Sequence, residues 1–316
     1  MEPYRAPWWL PGGHLQTLAS IFASAPSVDY TRERWDTPDG DFIDIDWAGR
    51  EDAQRLLVMF HGLEENSESR SARMVAQLAL ASGWRFAMPH FRGCSGSPNA
   101  KPRAYHSGDS EEADWILRRF AAVSPAVHAV GVSLGGNVLL KWLGEQGDSA
   151  VNVVRRAVAV SAPFDVTAFG KCIAGGLNYF YGLYFLRSLR PKVLHKIKQF
   201  PEHFAALGIT APGVDALNTL PEFDDLVTAP LHGFSGKSDY WSRASAVTHL
   251  TKIRVPTLLI NARNDPFLPE QVLTEIGAVP SNVILEFPAQ GGHVGFPGRS
   301  LWLPRRVLDF LSAPNA

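Results

Sequence analysis

The stretch that decides the fold is AVHAVGVSLGGNVLLKWLGE, residues 126–145. Its first part, Ala126–Val132, is a largely apolar run that predicts a buried strand. Its second part, Leu134–Glu145, repeats apolar residues at helical spacing and predicts a helix. Ser133 lies between them, at the centre of a Gly-x-Ser-x-Gly pattern. A serine on a tight strand-to-helix turn is typical of a catalytic nucleophile, and a serine that only caps the helix is the alternative.

Outward from this stretch, short apolar runs alternate with longer segments of helical period. Alternating strands and helices predict the α/β class, with a mostly parallel sheet covered by helices on both faces. The predicted strands are Leu56–Phe60, Trp84–Met88, Ala126–Val132, Ala157–Val160, Val255–Ile260 and Val283–Phe287, and the predicted helices are Ser67–Ser82, Asp109–Val123, Leu134–Glu145 and Pro304–Leu311.

Two acidic segments carry more specific local signals. Asp41–Trp47 alternates apolar and acidic residues, which favours an antiparallel strand at the edge of the sheet. Asp109 and Glu112 have the spacing of a capping box, which predicts that they cap the helix that follows.

The regular alternation stops at about Ser161 and resumes near Val255. The interruption is about 90 residues long, whereas a usual connection in such a sheet has about 2–6 residues and one helix. It is rich in aromatic residues, proline and glycine, and it predicts a cap inserted over the carboxyl edge of the sheet. We therefore expect one domain over residues 1–316, with an N-terminal extension at 1–29, a core at 30–162 and 252–316, and a cap at 163–251.

A nucleophilic serine needs a base, and the base needs an acid that orients it. His293 lies in a glycine-rich loop after the last predicted strand, and Asp265 lies in the loop after the strand before it. Both loops emerge at the carboxyl edge of a parallel sheet, where Ser133 must also stand. We therefore predict a triad of these three residues, in the chain order serine, acid, histidine. Asp239, in the predicted cap, is a distant alternative for the acid.

The oxyanion formed when Ser133 attacks a carbonyl needs two donors that are placed in advance. The backbone N–H of Leu134, at the start of the helix after the serine, is one predicted donor. The loop after the first predicted strand begins His61-Gly62, and we assign the second donor to the Leu63 N–H of that loop. His61 itself is interpreted as a structural residue that holds the loop and not as a proton carrier.

The composition excludes several classes of protein. Lys and Arg number 30 and Asp and Glu 31, so a net charge of −1 gives no support to nucleic acid as a partner. Hydrophobic residues make up 46%, which excludes a disordered chain. Two cysteines and the absence of a signal-peptide pattern fit a cytoplasmic protein. No pattern of a helical zinc site or a dinucleotide site occurs, so we expect neither a metal nor a cofactor.

Two segments of the predicted cap are unusual. Cys172–Leu186 is uncharged and rich in aromatic residues, and it is shorter than the ~20 residues that span a bilayer. It would form a core helix or line a pocket for an acyl chain. Arg187–Lys198 then holds five cations with apolar residues between them. This basic amphipathic pattern fits either a solvated helix face or weak contact with a membrane surface.

Segments spread over nearly the whole chain carry a family resemblance. They are Pro7-Trp8-Trp9-Leu10, His14-Leu15-Gln16-Thr17, His61–Asn66, His90–Gly96, Tyr105–Gly108, Gly131–Asn137, Ser161–Phe164, Glu222–Leu226, Asn264–Phe267 and Gly291–Phe296. In these segments the chain resembles the YheT-like α/β-hydrolases, a group that includes lipid-acting relatives in animals. The resemblance implies an α/β-hydrolase fold and hydrolysis of a carboxylic ester through Ser133, Asp265 and His293, without a cofactor.

The resemblance leaves the substrate open, from small acyl esters to medium-chain esters and glycerolipids. Two other functions stand beside ester hydrolysis: acyl transfer by the same triad, and a non-catalytic module that binds a lipid or another ligand. The role of the segment from Trp8 to Thr17 is also open, and a gate or wall of the pocket is one interpretation.

Overall fold

The computed structural model describes residues 2–298 and 301–313, and its strands form an eight-stranded sheet. The strands are β1 (Thr31–Asp36), β2 (Phe42–Ala48), β3 (Leu56–Phe60), β4 (Arg85–Pro89), β5 (Val127–Val132), β6 (Arg156–Val160), β7 (Thr257–Ile260) and β8 (Val283–Glu286). Their order in the sheet is β1-β2-β4-β3-β5-β6-β7-β8. All neighbours from β4 to β8 are parallel, and β2 runs antiparallel to both β1 and β4. The mostly parallel sheet predicted from the alternating pattern is confirmed.

Helices cover both faces of this sheet. Before β6 the helices are α1 (Gly13–Phe22), α2 (Arg70–Ala81), α3 (Ser110–Val123) and α4 (Leu134–Gln146), and after β7 they are α12 (Glu270–Thr274) and α13 (Trp302–Ser312). Successive side chains of a strand point to opposite faces, so β3 sends Val58 to the core shared with α3 and α4 and Leu57 to the core shared with α2 and α13. Because both faces are dry, β3 is apolar along its whole length.

The chain between β6 and β7 forms a region of short helices around one long helix. They are α5 (Val166–Ile173), α6 (Asn178–Gln199), α7 (Pro201–Ala206), α8 (Ala211–Asp215), α9 (Leu220–Phe223), α10 (Ala229–Leu231) and α11 (Lys237–Ala244). This region has its own apolar cluster, which Phe267 joins from the loop after β7. Although α6 has 22 residues, neither it nor any other helix in the described parts of the chain is long and apolar enough to cross a membrane.

The acidic strand β2 is antiparallel, as predicted, but its predicted place at the edge of the sheet is wrong. β1 covers it, and Arg32 and Arg34 of β1 bind Asp46 and Asp44 of β2 at 2.7 and 2.8 Å. Asp44 and Asp46 are buried. The alternation of acidic and apolar residues therefore reflects a cationic neighbouring strand and not exposure to solvent.

The predicted capping box at the start of α3 is also wrong. The Asp109 side chain accepts no hydrogen bond from the helix N-terminus, and it binds Arg103. The Glu112 carboxylate accepts from Nε of Arg92 at 2.9 Å. Both carboxylates are therefore oriented toward arginine side chains of the preceding loops and not toward the helix N-terminus.

Candidate active site

Ser133 lies on a sharp turn between β5 and α4, with backbone angles of φ 51° and ψ −121°. This left-handed backbone is uncommon for a residue with a side chain. A Cβ atom at Gly131 would lie 2.4 Å from the carbonyl oxygen of Gly135, and a Cβ at Gly135 would lie 2.4 Å from that of Phe60. The turn therefore closes only with glycine at both positions, and it leaves Ser133 at the carboxyl edge of the sheet.

The three predicted triad residues lie together at this edge. The distance from Ser133 Oγ to His293 Nε2 is 2.8 Å, and the distance from His293 Nδ1 to Asp265 Oδ2 is also 2.8 Å. The other Asp265 oxygen accepts the Phe267 N–H at 2.8 Å, and the Asp265 side chain is buried. Asp239 binds the Ser235 N–H and Arg243 within its own helical region, so it is not the partner of the histidine.

The two predicted oxyanion donors differ from their neighbours in the hydrogen bonds that they make. The Gly62 N–H donates to Glu65 Oε2 at 3.1 Å, and the Gly135 N–H donates to a backbone carbonyl at 3.1 Å. Within residues 2–298 and 301–313, the N–H groups of Leu63 and Leu134 have no such acceptor. Both residues line the same cavity as Ser133. They are therefore available to an oxygen atom of a bound ligand.

Glu65 was not singled out from the sequence, although it holds the loop of Leu63. Besides accepting the Gly62 N–H, its carboxylate faces the same side of Gly62 as Ser133, since a Cβ on Gly62 would be 3.1 Å from Glu65 Oε2 and 3.3 Å from Ser133 Cβ. Burial raises the pKa of Glu65, and the Gly62 N–H and the nearby His293 work in the opposite direction. No motif rule points to Glu65, because its role depends on how its loop folds back.

His61 has the structural environment expected for it. Its Nδ1 lies 2.7 Å from the Gly62 carbonyl oxygen, and its Nε2 accepts the Phe91 N–H at 3.0 Å. Burial lowers the pKa of His61 to about 3, so the ring is neutral near pH 7. A neutral ring with both nitrogens bound to backbone groups ties the loops after β3 and β4 together.

The loop that carries His293 is held by side chains of α1. The His293 N–H donates to Thr17 Oγ1 at 2.8 Å, and the Gly291 N–H donates to Gln16 Oε1 at 2.8 Å. Gln16 Oε1 also accepts from the Asn264 amide at 3.0 Å, which links it to the loop of the acid. Gln16 and Thr17 are both buried. Gln16 and Thr17, at the end of the segment whose role the sequence left open, therefore anchor the loops of His293 and Asp265.

A second contact joins α6 to the loop of Leu63. Lys192 binds the Glu64 carboxylate at 2.8 Å, and the Tyr105 hydroxyl donates to the same carboxylate at 2.9 Å. Lys196 also turns inward, and its Nζ donates to the Lys101 carbonyl oxygen at 2.7 Å. Two of the five cations that were expected to form a solvated face or a weak membrane contact, Lys192 and Lys196, therefore bind the core instead.

A cavity of about 380 Å³ lies between the helical region and the edge of the sheet, and Ser133 is part of its wall. Most of its lining is apolar, and Phe185 and Leu189 of α6 contribute to it together with Phe267. The uncharged stretch predicted either to be core or to line a pocket does both, since Leu186 is in the core of the region. No group of three His, Cys, Asp or Glu side chains in the described chain is placed to hold a metal ion.

Comparison with known proteins agrees with this architecture. Residues 55–299 match the family model described as the alpha/beta hydrolase fold. "Putative esterase YheT" of Escherichia coli is 37% identical over 95% of this chain and 90% of its own length. Phospholipase ABHD3 of Homo sapiens is 26% identical over 99% of this chain and 79% of its own length.

Solved structures show the same fold at lower sequence identity. The esterase Pf2001 of Pyrococcus furiosus superposes with a TM-score of 0.57 and 18% identity over 90% of each chain. The family model and the YheT relative each cover most of this chain, so they establish its membership and the type of its activity. The chain belongs to the α/β-hydrolase family, within its YheT-like group, and is a hydrolase of the esterase and lipase type.

Proposed function

We propose that the chain is a serine carboxylic-ester hydrolase in which Ser133 is the nucleophile, His293 the general base and Asp265 the acid that orients the base. The observation that carries this proposal is the unbroken pair of 2.8 Å contacts from Ser133 Oγ through the imidazole to Asp265 Oδ2. Nucleophile, base and acid in hydrogen-bond contact are the arrangement that activates a serine hydroxyl.

The reaction begins when Ser133 Oγ attacks the ester carbonyl carbon and His293 Nε2 takes the hydroxyl proton. The carbonyl oxygen becomes an oxyanion that accepts hydrogen bonds from the Leu63 and Leu134 N–H groups. His293 then passes the proton to the leaving alcohol, and an acyl-enzyme on Ser133 results. Water, deprotonated by His293, attacks this ester, and His293 then returns the proton to Ser133 Oγ as the carboxylic acid product leaves. Asp265 stabilises the imidazolium at both stages.

We propose an acyl ester with an apolar chain, of medium length or from a lipid, as the substrate class. The apolar lining of the cavity supports this choice. Transfer of an acyl chain from water into such a cavity is favourable by about 0.8 kcal/mol of free energy per CH₂ group. The name of the relative ABHD3, a phospholipase, agrees with it. In this proposal residues 163–251 are a cap over a core of 30–162 and 252–316, with 1–29 as an extension.

A fluorophosphonate probe and a series of p-nitrophenyl esters of increasing chain length test the proposal. Ser133→Ala should abolish labelling and lower kcat/KM by at least about 1,000-fold. Ser149→Ala, at an exposed serine on another face, is the matched control and should label normally. Labelling or hydrolysis that survives Ser133→Ala would overturn the assignment. Addition of acceptor alcohols distinguishes hydrolysis from acyl transfer, which would give a new ester as the main product.

A further inference from the structure

Helix α1 has its polar and apolar sides reversed relative to an ordinary surface helix. It buries Gln16 and Thr17 against the loop of His293. Its outer face is apolar, with Leu15 48% and Phe22 82% exposed, and Leu18 and Ile21 are exposed between them. A surface helix normally buries its apolar stripe. The apolar outer face of α1 is therefore not covered by other parts of the described chain.

The turn before α1 adds two exposed tryptophans to this face. Trp8 is 91% exposed and Trp9 is 61% exposed. The turn is closed by a 3.0 Å bond from the Leu10 N–H to the Pro7 carbonyl oxygen. The Gln16 amide donates to the Leu10 carbonyl oxygen at 2.8 Å, so the turn is fastened to α1. The tryptophans are thus presented by a hydrogen-bonded structure.

The first half of α6 continues the same apolar surface. Leu177, Phe180 and Tyr184 are each more than 60% exposed and follow one another at helical spacing. Between them, Tyr181 stacks on His14 of α1, with ring centroids 5.9 Å apart and an angle of 8°. Two segments far apart in sequence are joined there. We call the exposed apolar side chains of residues 8–22 and 177–184 the docking face.

The docking face lies one aromatic layer from the proposed base. The ring of Tyr181 lies 4.8 Å from that of Phe267, and the ring of Phe267 lies 4.3 Å from that of His293. Asn178 of α6 also donates to the Pro266 carbonyl oxygen at 2.6 Å, in the loop of the proposed acid. Anything that covers this face is therefore adjacent to the active site.

The charges around the face indicate what covers it. Residues 6–28 and 172–186 contain no Asp, Glu, Lys or Arg. The first stretch is flanked by Arg5 and Asp29 and the second by Lys171 and Arg187, and all four side chains are exposed. Exposed tryptophans beside apolar side chains and cations are the combination that favours the interface of an anionic bilayer. Three of the four flanking charges are positive, and this excess of cations favours an anionic lipid surface as the partner.

We propose that the docking face binds the surface of anionic phospholipid bilayers. Bound in this way, the chain would hold the proposed active site at the level of the headgroups. The docking itself is independent of catalysis, whereas the delivery of a lipid ester to Ser133 rests on the proposed function. The contact differs from the one expected from the basic stretch, because Lys192 and Lys196 bind the core.

Vesicle co-sedimentation of the full chain tests the proposal. Wild-type protein should bind vesicles of phosphatidylglycerol and phosphatidylcholine more strongly than vesicles of phosphatidylcholine alone. The combined variant Trp8→Ser, Phe22→Ser and Phe180→Ser should lower the partition coefficient on the mixed vesicles by at least about tenfold. Val123→Ser with Ile284→Ser is the matched control, since both residues are exposed and apolar but lie in other elements, and it should bind like wild type.

Three outcomes would overturn the proposal. A triple variant that binds as well as wild type, or a control that loses binding equally, overturns the proposal. The third is that wild type binds no vesicles and is a dimer in light scattering, whereas the triple variant is a monomer. This result would show that a second copy covers the face. Hydrolysis of a short soluble ester should be unchanged in the triple variant, because none of its residues touches the triad. If wild type does not hydrolyse short soluble esters, the proposed function is refuted and the docking result still stands.

Discussion

The two sides of the candidate active site are held in place by different kinds of interaction. On the serine side, Ser133 is fixed by backbone geometry, since Gly131 lets β5 approach the main chain of α4 and Gly135 lets α4 approach that of β3. On the histidine side, His293 is held by side-chain oxygens of Gln16 and Thr17, about 275 residues away along the chain, through hydrogen bonds to loop amides. The serine side is therefore local in sequence, and the histidine side is not.

This difference predicts different responses to mutation. A Cβ added at Gly131 or Gly135 would lie 2.4 Å from a backbone oxygen, and no flexible side chain can move aside to make room for it. A single hydrogen bond to a loop amide can be lost while the fold persists, because the loop keeps its other anchors. A single substitution should therefore cause a large loss of activity on the serine side and a smaller loss on the histidine side.

The largest effect is expected from Gly135→Ala. The new Cβ would lie 2.4 Å from the Phe60 carbonyl oxygen and 2.6 Å from that of His61, so α4 must move away from β3. We expect ester hydrolysis to fall by at least about 100-fold and the free energy of unfolding by about 1–3 kcal/mol. Enzyme assays and urea unfolding measure the two changes.

Gly175→Ala is the matched control for this variant. Gly175 has no heavy atom within 4 Å of the position of an added Cβ and its φ is not positive. This variant should keep both activity and stability. A Gly135→Ala enzyme with full activity would contradict the steric account of the turn.

A smaller effect is expected from Thr17→Val on the histidine side. The variant keeps the shape of the side chain but removes the acceptor of the His293 N–H, which lies 2.8 Å away. We expect kcat to fall about tenfold, or about 1.4 kcal/mol in activation free energy, with little change in KM, because the base moves and the pocket does not.

Thr17→Ser restores the hydroxyl and should restore most of kcat. Ser20→Ala, on the same helix, is the control, since the Ser20 hydroxyl donates to the Gln16 carbonyl oxygen and not to the loop of the base. Equal losses in Thr17→Ser and Thr17→Val would show that Thr17 acts by packing and not by positioning the loop.

The smallest effect concerns the burial of His128, on the serine side of the site. His128 lies in β5, and burial lowers its pKa to about 4, with the nearby Arg55 and Arg156 guanidinium groups adding to the shift. As the pH falls from 7 to 5.5, the unfolded chain binds a proton at this histidine and the folded chain does not. The folded state therefore loses about 1 kcal/mol over this range because of His128.

His128→Gln removes this titration. When the pH falls from 7 to 5.5, the free energy of unfolding should fall by about 1 kcal/mol less in the variant than in wild type, as urea titrations at the two pH values would measure. A stability difference between the two proteins that is the same at both pH values would mean that the folded state protonates His128 as readily as the unfolded state.

Much of the fold followed from local patterns. The six predicted strands lie within one or two residues of those observed, since each is a short apolar run, and all but the edge strand β8 are buried on both faces. Ser133, Asp265 and His293 could be located in the same way, because each follows a strand of a parallel sheet and such strands end at one edge.

The errors share one physical cause, which is pairing between distant charged or polar groups. The carboxylates of Asp44 and Glu112 suggested solvent or a helix cap, but arginines from other segments bind them. Lys192 suggested an outward face, but it binds Glu64 beside the cavity. A charged side chain carries no periodicity that reveals its partner, so a single sequence gives no means to find it.

The sequence alone determined the α/β sheet, the turn at Ser133 and the order of the residues that meet there, because these depend on apolar periodicity and on glycine within a few positions. Only the tertiary structure decided that Gln16 and Thr17 hold the loop of His293, and that the uncharged segments around α1 and the start of α6 form one exposed face. The reason is that hydrogen bonds and surface continuity arise between segments that folding brings together, whereas the hydrophobic pattern of a strand or helix is written along the chain itself.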